Sequence, residues 1–220
     1  MGKFVLLLAA IVAMELSPKS REAIAPVHAA IVEARTELAS LPPPKDDAER
    51  LIRMEKLAQA PREAMSKIDF SQVPEGEREA AFKAIWAELT PIDQANQEAL
   101  LKMLPEEGWF TISRYGKDGS EAAFMIVQHG NVELWRRFVP VLEPLAARGE
   151  VKGAEYALMF DRLAIFENRP QRYGSQMRCE NGKRAPYPIE EPGQLDVRRA
   201  KLGMIPYASY LKLFEGSPPC

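Results

Sequence analysis

Histidine and cysteine are nearly missing from this 220-residue chain, with two of each. Scattered as His28, His129, Cys179 and Cys220, they make no Cys/His zinc pattern, so no metal site is expected. Neither sign of charge is in excess. Lys and Arg number 29, Asp and Glu 31, and the formal net charge is −2. That leaves no basic field of the kind a nucleic-acid reader needs. No apolar run reaches the roughly 20 residues of a membrane span. The chain also lacks a Gly-x-Ser-x-Gly elbow, which excludes a serine hydrolase of the usual kind. It has no Walker loop. Gly116-Lys117-Asp118-Gly119-Ser120 has the wrong spacing and reads as a turn plus helix cap, although its amides could face an anion. No cofactor signature, internal repeat or low-complexity tract is present.

What is there describes an ordinary globular protein. Apolar residues make up 46% and charged residues 27%, enough to bury a core without staples. The apolar run Phe4 to Met14 follows Met1-Gly2-Lys3. It fits the h-region of a secretory signal with Lys3 as its positive flank, which implies a periplasmic or secreted protein. Ala13 suits the residue before a cleavage site, while Ile11 does not suit the position two earlier. An apolar N-terminal helix packed on the body of a cytoplasmic protein is the alternative. Export would let Cys179 pair with Cys220. The closed loop of about 42 residues stabilises by about 4 kcal/mol in the chain-entropy model.

The pattern predicts a mainly α fold: a multi-helix, bundle-like array with one small β-hairpin near the C-terminus. Residues 1–16 are the signal or apolar segment, 17–214 a single helical domain, and 215–220 a tail. Ser17-Pro18 opens a helix toward Ser40, bent at Pro26. Pro42-Pro43-Pro44 breaks the chain, and Asp46 with Glu49 starts a second helix to about Met65. Pro74 opens a third, which Pro91 is expected to interrupt, with a further helix from Ile92 to Leu104. Residues 45–107 carry nine basic and fourteen acidic side chains, an acidic helical layer. Residues 108–214 form the motif-bearing half. Gly108 to Gly119 reads as loop, Ser120 and Asn131 as caps of two helices, and Ala154 to Phe166 as a buried helix. Tyr173 to Cys179 and Lys183 to Ile189 flank Asn181-Gly182, the turn of a hairpin over 173–189. Short helices over Asp196 to Leu202 and Tyr207 to Phe214 finish the chain.

Few residues can carry chemistry. His129 ends a helix beside apolar neighbours, where an imidazole pKa moves readily across neutrality, so it is the candidate general base. Asp161 interrupts an apolar helix and needs a partner, with Arg172 or His129 in reach. An Asp–His pair would fix the imidazole tautomer. Gln171-Arg172-Tyr173-Gly174 offers an amide, a guanidinium and a phenol, a set suited to a carboxylate, phosphate or sugar. Residues 169–201 hold eight basic and four acidic side chains, which favours an anion. Each of these readings competes with a plain structural one, a capping histidine or an ion pair that fixes packing.

Several motifs in order resemble an uncharacterised bacterial family, a domain of unknown function. They are Gly108-Trp109, Ile126-Val127-Gln128-His129, Asp161-Arg162, Gln171-Arg172-Tyr173-Gly174, Pro188-Ile189-Glu190 and Asp196-Val197-Arg198-Arg199-Ala200-Lys201-Leu202-Gly203. Gln59-x-x-Arg62 and Asp93-x-x-Asn96 match its helical part. The resemblance covers roughly residues 50 to 212 and implies no activity. Gly130-Asn131 stands where Ala-Asp is usual, which removes an acid beside His129, and Phe110 stands where Pro is usual. The resemblance groups His129, Asp161, Gln171, Arg172 and Tyr173 into one constellation, with Gln59, Arg62, Asp93 and Asn96 joining it. The functional expectation is a pocket for a small anionic ligand, turned over by a His129–Asp161 base if it is turned over at all. The rival expectation is a structural or protein-interaction module in which these side chains are a buried packing network.

Overall fold

The computed structural model describes residues 16–215. The chain is mainly helical, with eight α-helices and one two-stranded antiparallel hairpin among the described residues. It divides into two compact units between Met103 and Leu104. No helix among the described residues is long and apolar enough to cross a membrane.

The first unit holds α1 (Pro18–Ser40), α2 (Asp47–Ser66) and α3 (Arg78–Lys102). The Ser17 hydroxyl accepts from the Ser20 amide at 3.3 Å and caps α1. Asp46 Oδ1 accepts from Glu49 N at 2.8 Å, and Glu49 Oε2 reaches back to Lys45 N at 3.0 Å. Two 3₁₀ turns, Phe70–Gln72 and Glu75–Glu77, lead into α3. Val27 and Ile31 of α1, Ala58 of α2, and Ile85, Leu89 and Ile92 of α3 form the core. Pro91 does not interrupt α3, contrary to the sequence expectation. Leu89 and Ile92, on either side of it, are both buried in that core. Packing on both flanks outweighs the one hydrogen bond a helical proline forfeits. Pro26 and Pro61 lie inside α1 and α2 in the same way.

The second unit holds α4 (Ile112–Gln128), α5 (Val132–Ala147), α6 (Gly153–Phe166), β1 (Met177–Glu180), β2 (Lys183–Pro186), α7 (Leu195–Lys201) and α8 (Tyr207–Lys212). Its core gathers Trp109, Phe110, Ala123, Val127, Phe138, Leu142, Met159 and Ala164, all under 2% exposed. The loop expected from Gly108 to Gly119 is shorter than that. Helical structure begins at Ile112, with a kink at Gly116, where φ is 70° and ψ is 171°. The donors that stabilise this first turn are satisfied from far along the chain. Ile112 N donates to Glu150 O at 2.8 Å and Ser113 N to Glu150 Oε2 at 3.0 Å. Ser120 is therefore no cap; it is buried within α4. Asn131 does cap α5, accepting from Leu134 N at 3.1 Å. Asn181 (φ 52°) and Gly182 (φ 74°) make the expected turn with both central residues at positive φ, and Met177 pairs with Pro186. The strands are only four residues long, because the segments beyond them are drawn into other bonds at Asp161 and Gln171.

Candidate functional site

The motif-bearing turn is organised by one carboxylate. Asp161 projects from α6, is fully buried, and accepts from four donors of the following segment. Arg172 N lies 2.7 Å from Oδ1 and Tyr173 N 3.0 Å. Ser175 N and Ser175 Oγ each lie 2.9 Å from Oδ2. The amides of residues 172, 173 and 175 converge because Gly174, between the last two, takes φ 69°, a value that costs a side-chain-bearing residue energy. A Cβ there would also stand 2.7 Å from the Tyr207 ring. Burial pushes the Asp161 carboxyl above its ordinary value, and the Ser175, Arg172 and Tyr173 amides pull the other way.

Gln171 completes the turn and is equally buried. Its Nε2 donates to Gln176 O at 3.0 Å and Tyr187 O at 2.9 Å, and its Oε1 accepts from Gln176 N at 2.8 Å. The main chain of Gln171 bridges Ile189, so the segment before β1 is stitched to the segment after β2. Two arginines of α7 close the assembly. Arg198 Nε donates to Arg172 O at 3.0 Å, and its Nη2 donates to Glu190 O. Arg199 is 1% exposed and donates to Tyr173 O at 2.6 Å and Ile205 O at 2.8 Å. Its guanidinium lies 4.9 Å from the Tyr210 ring centroid and 5.6 Å from that of Tyr207. Carbonyl oxygens and aromatic faces thus hold a buried cation with no carboxylate ion pair among the described residues.

The expected Asp–His pair does not form. Every hydrogen bond that Asp161 accepts comes from residues 172–175, and none comes from His129. His129 is the C-cap residue of α4, with its amide donating to Met125 O at 3.2 Å. The neighbour of Asp161 serves that helix end instead. Arg162 Nη1 donates to Gln128 O at 2.8 Å, and Trp135 Nε1 donates to Val127 O at 3.1 Å. Arg162 also stacks over the Trp135 ring at 5.6 Å. A cation at a helix C-terminus complements the macrodipole as well as the orphan carbonyls. Successive positions on α6 point about 100° apart. So Asp161 anchors the 172–175 turn while Arg162 anchors α4.

Arg172 is paired through its main chain with Asp161 and through its side chain with Glu190, whose Oε2 accepts from Nε at 3.2 Å. The guanidinium lies 4.6 Å from the Phe160 ring centroid and its side chain is 34% exposed. Its two terminal nitrogens donate no hydrogen bond among the described residues. Tyr173 is buried, with its ring 5.9 Å from Tyr156 and 5.7 Å from Phe160. Burial holds both phenols above their ordinary pKa, so they stay protonated.

The remaining expected residues lie in the first unit. Arg62 of α2 donates to Asp93 of α3 at 2.6 Å and to Ala58 O at 2.7 Å, and stacks over Trp86 at 5.8 Å. Asn96 Nδ2 donates to Met54 O at 2.8 Å. Burial raises the Asp93 carboxyl, against the Arg62 hydrogen bond and charge. Gln59 sits half-buried on α2, one turn before Arg62. This is a latch between α2 and α3, complete within its own unit. The pairing of Cys179 with Cys220 falls outside the described residues, because Cys220 does.

Sequence reasoning missed Ser175, Arg198 and Arg199 as partners of the turn, and Arg162 as the partner of the α4 C-terminus. It also missed Glu155. That side chain is buried on α6, its Oε1 accepts no hydrogen bond, and the Lys152 ammonium lies 3.7 Å away. Lys152 also binds Glu121 of α4. Burial, partly offset by Lys152, pushes the Glu155 carboxyl up to about 7. The available signal was the placing of Glu155 among Ala154, Tyr156 and Ala157 in an apolar helix.

The curated proteins hold no match to the chain, and neither do the solved structures. The arrangement built on Asp161, Gln171 and the two α7 arginines does fall within a family model, one described as a family of unknown function, which matches residues 45–218. The chain belongs to that family, DUF6624.

Proposed function

We propose that the chain is an exported interaction module, in which the polar set around Asp161 is a packing element that fixes the shape of residues 171–191. The saturated Asp161 carboxylate carries this reading. A carboxylate that orients a catalytic histidine spends an oxygen on the imidazole N–H. Asp161 spends both on the 172–175 turn, and nothing of it reaches the surface. The Gln171 amide is likewise consumed by main-chain partners. These features support a scaffold more than a reaction centre. Export rests on the apolar run behind Lys3 and is tested by fractionation with intact mass. A full-length mass confined to the cytosol refutes it. The module reading is tested by melting wild type, Asp161→Asn and His129→Ala with and without a panel of small metabolites. It expects a large loss of melting temperature for Asp161→Asn and no ligand-dependent shift. An Asp161→Asn protein as stable as wild type that has lost a shift seen in wild type overturns it, since residues held for catalysis often cost stability.

One observation favours a second reading, a site for a small anion. Arg172 is half-exposed, is stacked on Phe160 and uses only Nε. A bidentate carboxylate or phosphate fits the remaining fork. Calorimetric titration with inorganic phosphate and with succinate tests it. Heat that wild type gives and Arg172→Lys loses supports an anion site. Its absence in wild type removes the reading.

A further inference from the structure

The first unit carries a groove of about 510 Å³ between α1 and α2. We propose that it is the docking site for a basic amphipathic helix of a partner protein. The proposal rests on the reading of the chain as an interaction module, and it names the module's surface and partner. Three observations carry it. The first is shape. From Ala23 to Glu37 the groove follows 15 residues of α1, 14 rises of about 1.5 Å each or about 21 Å. A trough of that length suits about four turns of helix. The second is the floor, made by Ala23, Ala30 and Ala34 of α1, Ala60 and Ala64 of α2, and Ile68. Five of these six side chains are single methyls. They leave depth for the longer apolar side chains of a helix presented at i, i+3, i+4 and i+7. Val27, Ile31 and Ala58 pack with Ile85, Leu89 and Ile92 of α3, and Ala23, Ala34 and Ile68 of the floor border the first unit's core from the groove side.

The third observation is charge. The rim carries Glu33, Glu37, Glu63 and Asp69 against Lys56 and Lys67. Lys56 is already paired with Glu37. That leaves three carboxylates facing one ammonium, so the partner's polar face must be basic. An apolar floor with a one-signed rim gives a helix both affinity and orientation.

The test uses the full chain and two dye-labelled synthetic 18-residue peptides in fluorescence anisotropy. One has leucines along one helical face and lysines elsewhere. The other keeps the leucines and replaces every lysine by glutamate. The lysine peptide should bind and the glutamate peptide should not. Ala30→Arg, which fills the floor with a like-charged side chain, should weaken the lysine peptide at least about tenfold. Its circular dichroism and melting temperature should match wild type. Glu33→Gln with Glu63→Gln keeps the floor and should weaken binding while flattening its dependence on salt. Failure of the lysine peptide to bind overturns the proposal. Equal binding of the two peptides, or binding that ignores Ala30→Arg, does the same. A concentration-dependent dimer that Ala30→Arg dissolves assigns the groove to a second copy of the chain and also overturns it. None of these variants touches Asp161, so failure here leaves the module reading to its own test.

Discussion

Removing the Asp161 carboxylate is the sharpest perturbation of the second unit. Asp161→Ala strands three buried amides, those of Arg172, Tyr173 and Ser175, together with the Ser175 hydroxyl. The hydroxyl can turn to another acceptor, whereas the amides cannot. An unsatisfied buried donor costs about 1–3 kcal/mol, so three amides give about 3–9 kcal/mol before relaxation. The turn is not sealed. Arg172 is half-exposed, and water can reach part of the segment once it loosens. That places the expected loss near the low end, about 3–5 kcal/mol, which is also the usual cost of breaking a buried charged partnership. Asp161→Asn keeps one acceptor oxygen for the first two amides but aims an amide N–H at Ser175 N. Its expected loss is about 2 kcal/mol. Urea unfolding followed through Trp86, Trp109 and Trp135 fluorescence measures both. Amide exchange at residues 172, 173 and 175 locates the effect. If Asp161→Ala stays within about 0.5 kcal/mol of wild type, the turn is not held by the carboxylate. The reasoning also fails if His129→Ala costs more than Asp161→Ala, because the centre of the network would then lie elsewhere.

Glu155 makes stability fall as pH rises. Its folded pKa of about 7 lies above the ordinary 4.5, so its contribution is complete below about 4.5 and lost as pH climbs through about 7. The full shift corresponds to at most about 3 kcal/mol. Glu155→Gln should therefore be more stable than wild type at pH 8 and level with it at pH 5 in urea titrations; equal slopes with pH would refute the burial argument. Arg162→Ala removes the donor to Gln128 O and the stack on Trp135, so it should cost about 2–3 kcal/mol and expose Trp135 to acrylamide quenching. Arg162→Lys should recover less than half of that. Gly153→Ala should destabilise through space alone. A Cβ there stands 2.2 Å from Leu202 O, and a melting temperature within one degree of wild type would show that α7 can shift aside.

How much of this could be read from the sequence followed from the range of the interactions. The helices capped by nearby residues, at Ser17, Asp46 and Asn131, were legible, because a cap and its donor lie three positions apart. The Asn181-Gly182 hairpin was legible for the same reason. The start of α4 was not, because its first amides are satisfied by Glu150, 37 residues beyond Ser113. Nor was the continuity of α3 through Pro91, since it depends on core partners supplied by other helices.

The polar constellation follows the same division, with one instructive twist. The sequence correctly placed Asp161 in an apolar helix and required a partner for it. It supplied side chains as the candidates, Arg172 and His129, because only side chains are visible in a sequence. The partner is the main chain of the residue named and of its neighbours, reached because Gly174 lets the amides of residues 172, 173 and 175 point inward. Backbone donors are present at every position and so leave no mark in composition or spacing. A glycine at positive φ is the only trace such a nest leaves. The Arg172 side chain, freed from serving the buried acid, lies on Phe160 at the surface. A basic residue two positions before a glycine, eleven after a buried acid, therefore says little about where its own charge goes. The same turn could equally present an arginine to a ligand or discard it to solvent, and only the occupancy of its terminal nitrogens separates the two.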